Sequence, residues 1–395
     1  MESTRKNRAL HIDKEALSAL ALAQEGLLLP VSGLMDKQEY DAVRLSGLFC
    51  GKSFPVPFVL SPSGIRNEEV LKSAKSGETL DLFCEKKVCG TLCVKEVFSI
   101  DPQERLKEIL SGDTTSAQAQ AIFKRLGKFA VSGPYHVHFP EILQTKERIA
   151  IAKEAIGAKH TTALMISAKP LHRAHERIVR LSLDETDLLV LFLLKPYRSD
   201  ILEYALRLKT VHYLIDHYLP RSRVIVVPLE DTYLFAGNNE MILDAIVAQN
   251  FGCDRLVTGA NHAGLSMYYE NNEIHSIFDI LKDINIEIKI MSEFVYCDQC
   301  RTLVSTRTCP HGHHHHISYH SDSILEFFRL GLLPPAVLMR KEISAIILAS
   351  LFPHRFKNLE KLYYDIMPFN GLVEQRNEEE FYLKLMELYQ TTSLT

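Results

Sequence analysis

No apolar run in the chain is long enough to cross a bilayer, which takes about 18 uninterrupted residues, so no membrane span is expected. Met1 to Arg8 is charged and no apolar stretch follows it, which leaves no signal-peptide pattern either. Charge of one sign is also missing. Lys and Arg number 45 against 49 Asp and Glu, and a net charge of -4 argues against a general nucleic-acid binder. Few cysteines are grouped: Cys50, Cys84, Cys89, Cys93 and Cys253 stand singly and read as reduced, partly buried thiols. These absences describe a cytoplasmic chain with neither membrane nor nucleic acid as partner. With 395 residues and 46% hydrophobic content it can bury a large core in two or three domains.

The most informative stretch that is present is Lys169-Pro170-Leu171-His172-Arg173-Ala174-His175-Glu176. An apolar strand, Thr161 to Ile166, leads through a proline turn into a helix at His172 to Ser182. Its two histidines lie three apart and project from one side of the first turn. There the unpaired backbone N–H groups already favour an anion, which is the layout of a nucleotide-phosphate site. A second turn, Gly259-Ala260-Asn261-His262-Ala263-Gly264, follows the apolar strand Arg255 to Thr258 and places another histidine among small residues that allow close backbone approach. Either motif alone is equally readable as imidazoles that cap helices; the pair points to one cleft.

Cys297-x-x-Cys300, then Cys309, then His311, His313, His314, His315 and His316 supply soft ligands at zinc-knuckle spacing. Two thiolates from one turn, a third from another and an imidazole would complete a closed, structural, tetrahedral site. Arg301 to Thr308 is too short for a core of its own, so the metal would hold it folded. A redox C-x-x-C is disfavoured because no helix N-terminus follows to activate a thiolate. The surplus histidines read as a solvated loop, with opportunistic metal binding the lesser alternative.

The chain divides by texture. Residues 1–150 carry short strand-like pieces (Val56 to Leu60, Leu80 to Cys84, Gly90 to Phe98, Lys128 to Val137) after an opening helix at Asp13 to Gln24, and read as a β-rich domain. Residues 151–292 alternate apolar strands (Thr161 to Ile166, Asp187 to Leu194, Arg223 to Val227, Arg255 to Thr258, Ile286 to Ile290) with helices (His172 to Ser182, Asp200 to Tyr218, Asn238 to Asn250, Ile274 to Lys282). That alternation predicts an α/β fold with a doubly wound parallel sheet, where ligands sit outside the carboxyl ends of the strands. Residues 293–350 form the metal-bearing segment with a small α/β subdomain, including helices at Ser321 to Leu330 and Lys341 to Leu351. Residues 351–395 form a helical tail whose helix at Glu378 to Tyr389 has an apolar side expected to pack on the chain's own body, with a subunit or partner contact the lesser alternative.

The two histidine motifs resemble those of ATP sulfurylase (sulfate adenylyltransferase), which read Q-x-R-N-P-x-H-x-A-H-E and G-R-D-H-A-G. Gly26-Leu27-Leu28-Leu29-Pro30-Val31-Ser32-Gly33-Leu34-Met35 resembles the family's G-x-x-x-P-L-x-G-F-M, and Phe235-Ala236-Gly237 its Y-A-G segment. Tyr268-Tyr269 with Ile277-Phe278-Asp279 follows the second motif in the same way. The resemblance runs from about residue 10 to about residue 345. It implies a PUA-like N-terminal domain, a Rossmann-like HxxH nucleotidyltransferase domain, and the conversion of ATP and sulfate to adenosine 5′-phosphosulfate and pyrophosphate by direct in-line attack on the α-phosphate. His172, His175 and His262 would be the catalytic phosphate clamps; Ser167, Lys169, Gly259, Asn261 and Ala263 would line the substrate site. Mg²⁺ would accompany ATP, and subunits would associate as dimers or larger. The bacterial zinc-bearing members complete their Cys ligands with the histidine four beyond the last, here His313, giving Zn²⁺ on Cys297, Cys300, Cys309 and His313.

The departures fall on the sulfate half. Ile166-Ser167-Ala168-Lys169 stands where the family has Q-T-R-N, and Ala260 and Asn261 stand for the Arg and Asp of the second motif. His320-Ser321-Asp322-Ser323-Ile324-Leu325 replaces S-G-T-x-x-R and loses another basic group. Arginine grips a dianion by bidentate, charge-assisted hydrogen bonds that lysine does not reproduce, though Lys169 offers one point charge nearby. Three readings remain open: an ATP sulfurylase with an altered acceptor site, a same-fold nucleotidyltransferase for a different oxyanion or phosphorylated acceptor, and a nucleotide-binding homologue without catalysis.

Overall fold

The computed structural model describes residues 8–112, 114–195, 202–230, 232–259, 267–270, 273–276, 283–367 and 373–389. By its contacts the chain forms two compact units. One is Met1–Met165, Leu194–Tyr197 and Val227–Ile290; the other is Ile166–Leu193, Arg198–Val226 and Met291–Thr395.

At the amino-terminal end, a four-stranded sheet runs in the order Arg8–His11, Thr79–Cys84, Lys87–Cys93, Tyr135–Val137, and a three-stranded one in the order Leu60–Pro62, Leu126–Ser132, Glu96–Ser99. The opening helix, Lys14–Gln24, begins at Asp13, whose carboxylate accepts from Ala16 N at 2.9 Å. It buries every residue from Ala16 to Ala23. Helices also form at Lys37–Ser46, Ile65–Ser73, Pro102–Leu110, Ala117–Phe123 and Pro140–Ile156, so the part expected to be β-rich is mixed.

Three strand expectations here need correction; one is Lys128 to Val137, which is divided between the two sheets at Gly133 and Pro134. Val56 to Leu60 contributes only Leu60 to a strand, because Pro55 and Pro57 remove ladder donors; Val56, Phe58 and Val59 are buried as core instead. Gly90 to Phe98 is divided between the two sheets, breaking at Val94 and Lys95.

The alternating region forms a five-stranded sheet: β1 (Thr161–Ile166), β2 (Leu188–Lys195), β3 (Val224–Glu230), β4 (Arg255–Gly259) and β5 (Glu287–Met291). Helix α1 (Arg173–Leu183) follows β1, α2 (Tyr204–Tyr218) follows β2 and α3 (Glu240–Asn250) follows β3. The order across the sheet is β3-β2-β1-β4-β5, the doubly wound arrangement with its switch point between β1 and β4. β1 and β4 pair in parallel, Thr162 to Arg255 through Leu164 to Val257, so both end at the same edge. β2 is buried from Leu188 to Leu193, the continuous apolar run of a strand covered on both faces. Ile274 to Ser276, expected to open a helix, instead pairs within Glu273–Ser276 against Met267–Glu270 as a hairpin. Ile274 is the one aliphatic residue of Glu273–Ser276, too little to set a helical period; 277–282 lie outside the described residues.

Beyond β5, Phe294–Cys297 pairs antiparallel with both Thr302–Ser305 and His316–Ser318. Then come helices α4 (Ser321–Arg329), α5 (Lys341–Leu351), α6 (Arg355–Ile366) and α7 (Glu378–Tyr389). The tail is fastened to its own unit: Tyr382 and Met386 of α7 are buried, and the Glu378 carboxylate accepts from Phe356 N and Lys357 N at the start of α6. Among the described residues, no helix is long and apolar enough to cross a membrane.

Candidate functional site

The turn between β1 and α1 carries the first histidine motif. Ala168 is fully buried with φ of 49°, a left-handed conformation that costs a non-glycine residue about 1 kcal/mol. Where the resemblance calls for arginine, this turn therefore places a methyl group in the interior. Ser167 and Lys169 beside it are half-buried. Underneath, Arg207 of α2 is 1% exposed and donates from Nη1 to Ser167 O at 2.6 Å and from Nε to Leu202 O at 3.2 Å. Sequence reasoning missed it. The signal was an arginine on the same helical stripe as buried Val211 and Leu214.

His172 is the N-cap of α1 and His175 its third residue. The rings stack at 3.7 Å between centroids, inclined by 29°. His172 N donates to His175 Nδ1 at 3.3 Å, which puts the His175 ring proton on Nε2. Burial holds both imidazoles neutral: His175 is lowered to about 4, and His172 well below its ordinary value, with the neighbouring His175 adding to the effect. His172 Nδ1 is buried and has no hydrogen-bond partner. An orphaned ring nitrogen at a helix N-terminus, where backbone N–H groups are free, is an arrangement suited to an oxyanion.

Glu176, the next residue, anchors this turn. Arg340 Nε and Nη2 donate to its two oxygens at 2.8 and 2.7 Å, Arg180 Nε donates at 3.1 Å, and Arg173 Nη1 lies at 3.5 Å. Burial alone would raise the Glu176 pKa; the Arg340 hydrogen bonds and the surrounding cations outweigh it and lower it. Arg340 also stacks on Tyr218, 3.4 Å above its ring.

Of the second motif, Gly259 ends β4 at the edge where β1 also ends. Asn261, His262 and Ala263, with Ala260, lie outside the described residues. The Phe235-Ala236-Gly237 segment is held against the end of the helix Pro102–Leu110: Asn239 Nδ2 donates to Glu108 O at 2.8 Å and Ile109 O at 3.1 Å. Gly237 is obligatory there, since it has φ of 62° and a Cβ would sit 2.0 Å from Leu110 O.

A separate cluster gathers Cys297, Cys300, Cys309 and His311, with all ligand atoms within 4.8 Å of one another. His311 Nδ1 is 3.4, 3.3 and 3.6 Å from the three sulfurs, and Cys300 Sγ is 3.9 Å from Cys309 Sγ. A tetrahedral metal at about 2.3 Å from sulfur and about 2.0 Å from nitrogen requires about 3.8 Å between sulfurs and about 3.5 Å between sulfur and nitrogen. The residues therefore fit a metal of that size. The imidazole brought to the thiols is His311, not the expected His313. Cys309-Pro310-His311 turns the nearer ring back onto the sulfurs, while His313 opens a short 3-10 turn and lies 5.8 Å from His316, ring to ring.

Comparison with known proteins accords with this architecture. Residues 140–350 match the family model described as ATP-sulfurylase, and residues 1–138 that of a PUA-like domain. The chain is 27% identical to the sulfate adenylyltransferase of Carboxydothermus hydrogenoformans over 86% of its own length and 91% of the relative's. It is 28% identical to that of Chloroflexus aurantiacus (87% and 91%) and 26% identical to that of Staphylothermus marinus (88% and 92%). Among solved structures, a hexameric APS kinase from Thiobacillus denitrificans shares the fold at a TM-score of 0.64 and 17% identity, covering 93% of this chain and 71% of that one. With the doubly wound sheet, the histidine-capped helix and a family match over most of its catalytic portion, the chain belongs to the ATP-sulfurylase family.

Proposed function

We propose that the protein is a sulfate adenylyltransferase, with the N-terminus of α1 as its nucleotide-phosphate subsite. The observation that carries this reading is the buried, unpartnered Nδ1 of His172 beside a His175 ring whose proton faces away from the backbone on Nε2. Neutral imidazoles donate single hydrogen bonds to phosphate oxygens and do not compete for protons at neutral pH. His172 and His175, with His262 of the second sequence motif, stabilise charge growing on the α-phosphate and the departing pyrophosphate. Ser167, Lys169, Gly259, Asn261 and Ala263 line the substrates. One sulfate oxygen forms the new bond to the α-phosphorus as the bond to the bridging oxygen breaks, and its electron pair leaves with pyrophosphate. Sulfate is already deprotonated, so no side chain acts as base.

Mg²⁺ would accompany the polyphosphate and neutralise its charge. Zn²⁺ is the metal that Cys297, Cys300, Cys309 and His311 suit best, as a closed structural site. In the cell we place the enzyme in the cytoplasm as a homo-oligomer.

The test incubates purified protein with ATP, Mg²⁺ and pyrophosphatase, with sulfate, molybdate or no acceptor. Sulfate-dependent phosphate release supports the reading. Release only with a different oxyanion moves the acceptor, which the buried methyl of Ala168 makes the outcome to watch. Nucleotide binding without turnover on any acceptor refutes catalysis.

A further inference from the structure

We propose that Tyr319 is a positioning residue for His172, its ring completing a stack of His175, His172 and Tyr319 that sets the direction of the phosphate-facing imidazole. The inference rests on the proposed role of His172. The centroids of Tyr319 and His172 are 5.4 Å apart and the rings are inclined by 32°, against 3.7 Å and 29° between His172 and His175. No hydrogen bond restrains His172 through Nδ1, and its backbone N–H is spent on His175. Ring packing therefore fixes this imidazole. Aromatic faces at these separations attract one another and resist rotation about the Cβ–Cγ bond. A side chain held before the ligand arrives loses less freedom when it binds.

Tyr319 can do this because it is itself held from two sides. Its hydroxyl donates to Val337 O at 2.7 Å. Its chain neighbour Ser318 pairs with Val295 in the sheet that carries the cysteine cluster. The segment that accepts the hydroxyl is tied to α1: Arg173 N donates to Leu338 O at 3.0 Å, Arg173 Nε to Ala336 O at 3.4 Å, and Arg340 pairs with Glu176. Residues 336–340 thus cross the first turn of α1 and carry Tyr319 with them. Sequence reading passed over Tyr319, which stands between the histidine run and α4 with no motif of its own.

The experiment compares Tyr319→Phe and Tyr319→Leu in the full-length protein. Removing the flat face is expected to lower kcat about 10-fold or more while KM for ATP changes less than about 2-fold, since misplacement of a catalytic group is felt in the transition state. Tyr319→Phe, which keeps the ring, should stay within about 3-fold of the parent. Independently of turnover, imidazole NMR on histidine-labelled protein should show His172 titrating at higher pH in Tyr319→Leu, because removing the ring admits water. The groups that face it otherwise, His175, Arg173, Glu176 and Arg340, are unchanged. Should Tyr319→Leu fail to fold, Tyr319→Met, which keeps volume without a flat face, replaces it. Parental kcat and an unmoved His172 titration in the ring-deleted variant would overturn the proposal. Equal damage in Tyr319→Phe would do so too, since that assigns the effect to the Val337 tether. A parent without any ATP turnover defeats the functional reading instead, and the NMR comparison still decides on positioning.

Discussion

Replacing Arg340 by methionine tests whether Glu176 is the anchor of the histidine turn. Both partners are largely shielded, with side chains 16% and 11% exposed, and they share two charge-assisted hydrogen bonds at 2.7 and 2.8 Å. Breaking a buried ion pair by deleting one partner costs about 3–5 kcal/mol. Here Arg180 and Arg173 remain beside the carboxylate, so roughly half of that is expected, plus about 1 kcal/mol for the contact over Tyr218. A loss of about 2.5–3.5 kcal/mol corresponds to a melting point about 5–14 °C lower for a unit of this size. Glu176→Gln and the double variant complete a cycle, read by thermal melting at pH 7, with a coupling of about 1.5 kcal/mol or more expected.

The penalty also has a defined pH dependence. The Glu176 pKa is lowered in the folded protein, so its contribution is present above the ordinary value of 4.5 and is lost as pH falls through the folded value. The difference between parent and Arg340→Met should shrink accordingly in acid. A melting point within about 1 °C of the parent, or effects additive to within about 0.5 kcal/mol, would refute the anchoring argument.

His175→Ala should lower turnover about 10²-fold or more if the ring stabilises transition-state charge, measured by pyrophosphate release; an unchanged rate removes it from the mechanism. Metal content by elemental analysis should fall in His311→Ala and stay at the parental level in His313→Ala, and the reverse pattern would restore the ligand expected from the family. Gly237→Ala should destabilise the protein by more than about 2 kcal/mol in denaturant unfolding, because the added carbon meets Leu110 O at 2.0 Å and the φ of 62° is itself unfavourable. A stable Gly237→Ala protein would show that this loop moves freely.

What could be read in the sequence was what depends on local pattern. β1, α1, α5 and α7 come within a residue of their expected bounds because apolar period, caps and proline punctuation act over a few residues. The hairpin at Met267–Ser276 was hidden because four-residue strands carry too little period to stand out from a short helix. At the site, the histidine motif announced itself, while the residues that hold it did not. Arg207, Tyr319 and Arg340 lie 35, 147 and 168 positions from His172, and only the folded chain brings them to one turn. For the metal cluster, histidines stand both two and four residues beyond Cys309, and it is His311, not the expected His313, that the fold groups with the three thiols.

Arg340 is the N-cap of α5, and α5 is backed by the buried Tyr382 and Met386 side of α7. The final stretch, beyond the residues 140–350 that the family model matches, is thus a buttress for the residue that grips the histidine helix. Expression designs that trim the protein at residue 350 would leave that buttress off and loosen the first turn of α1 from behind.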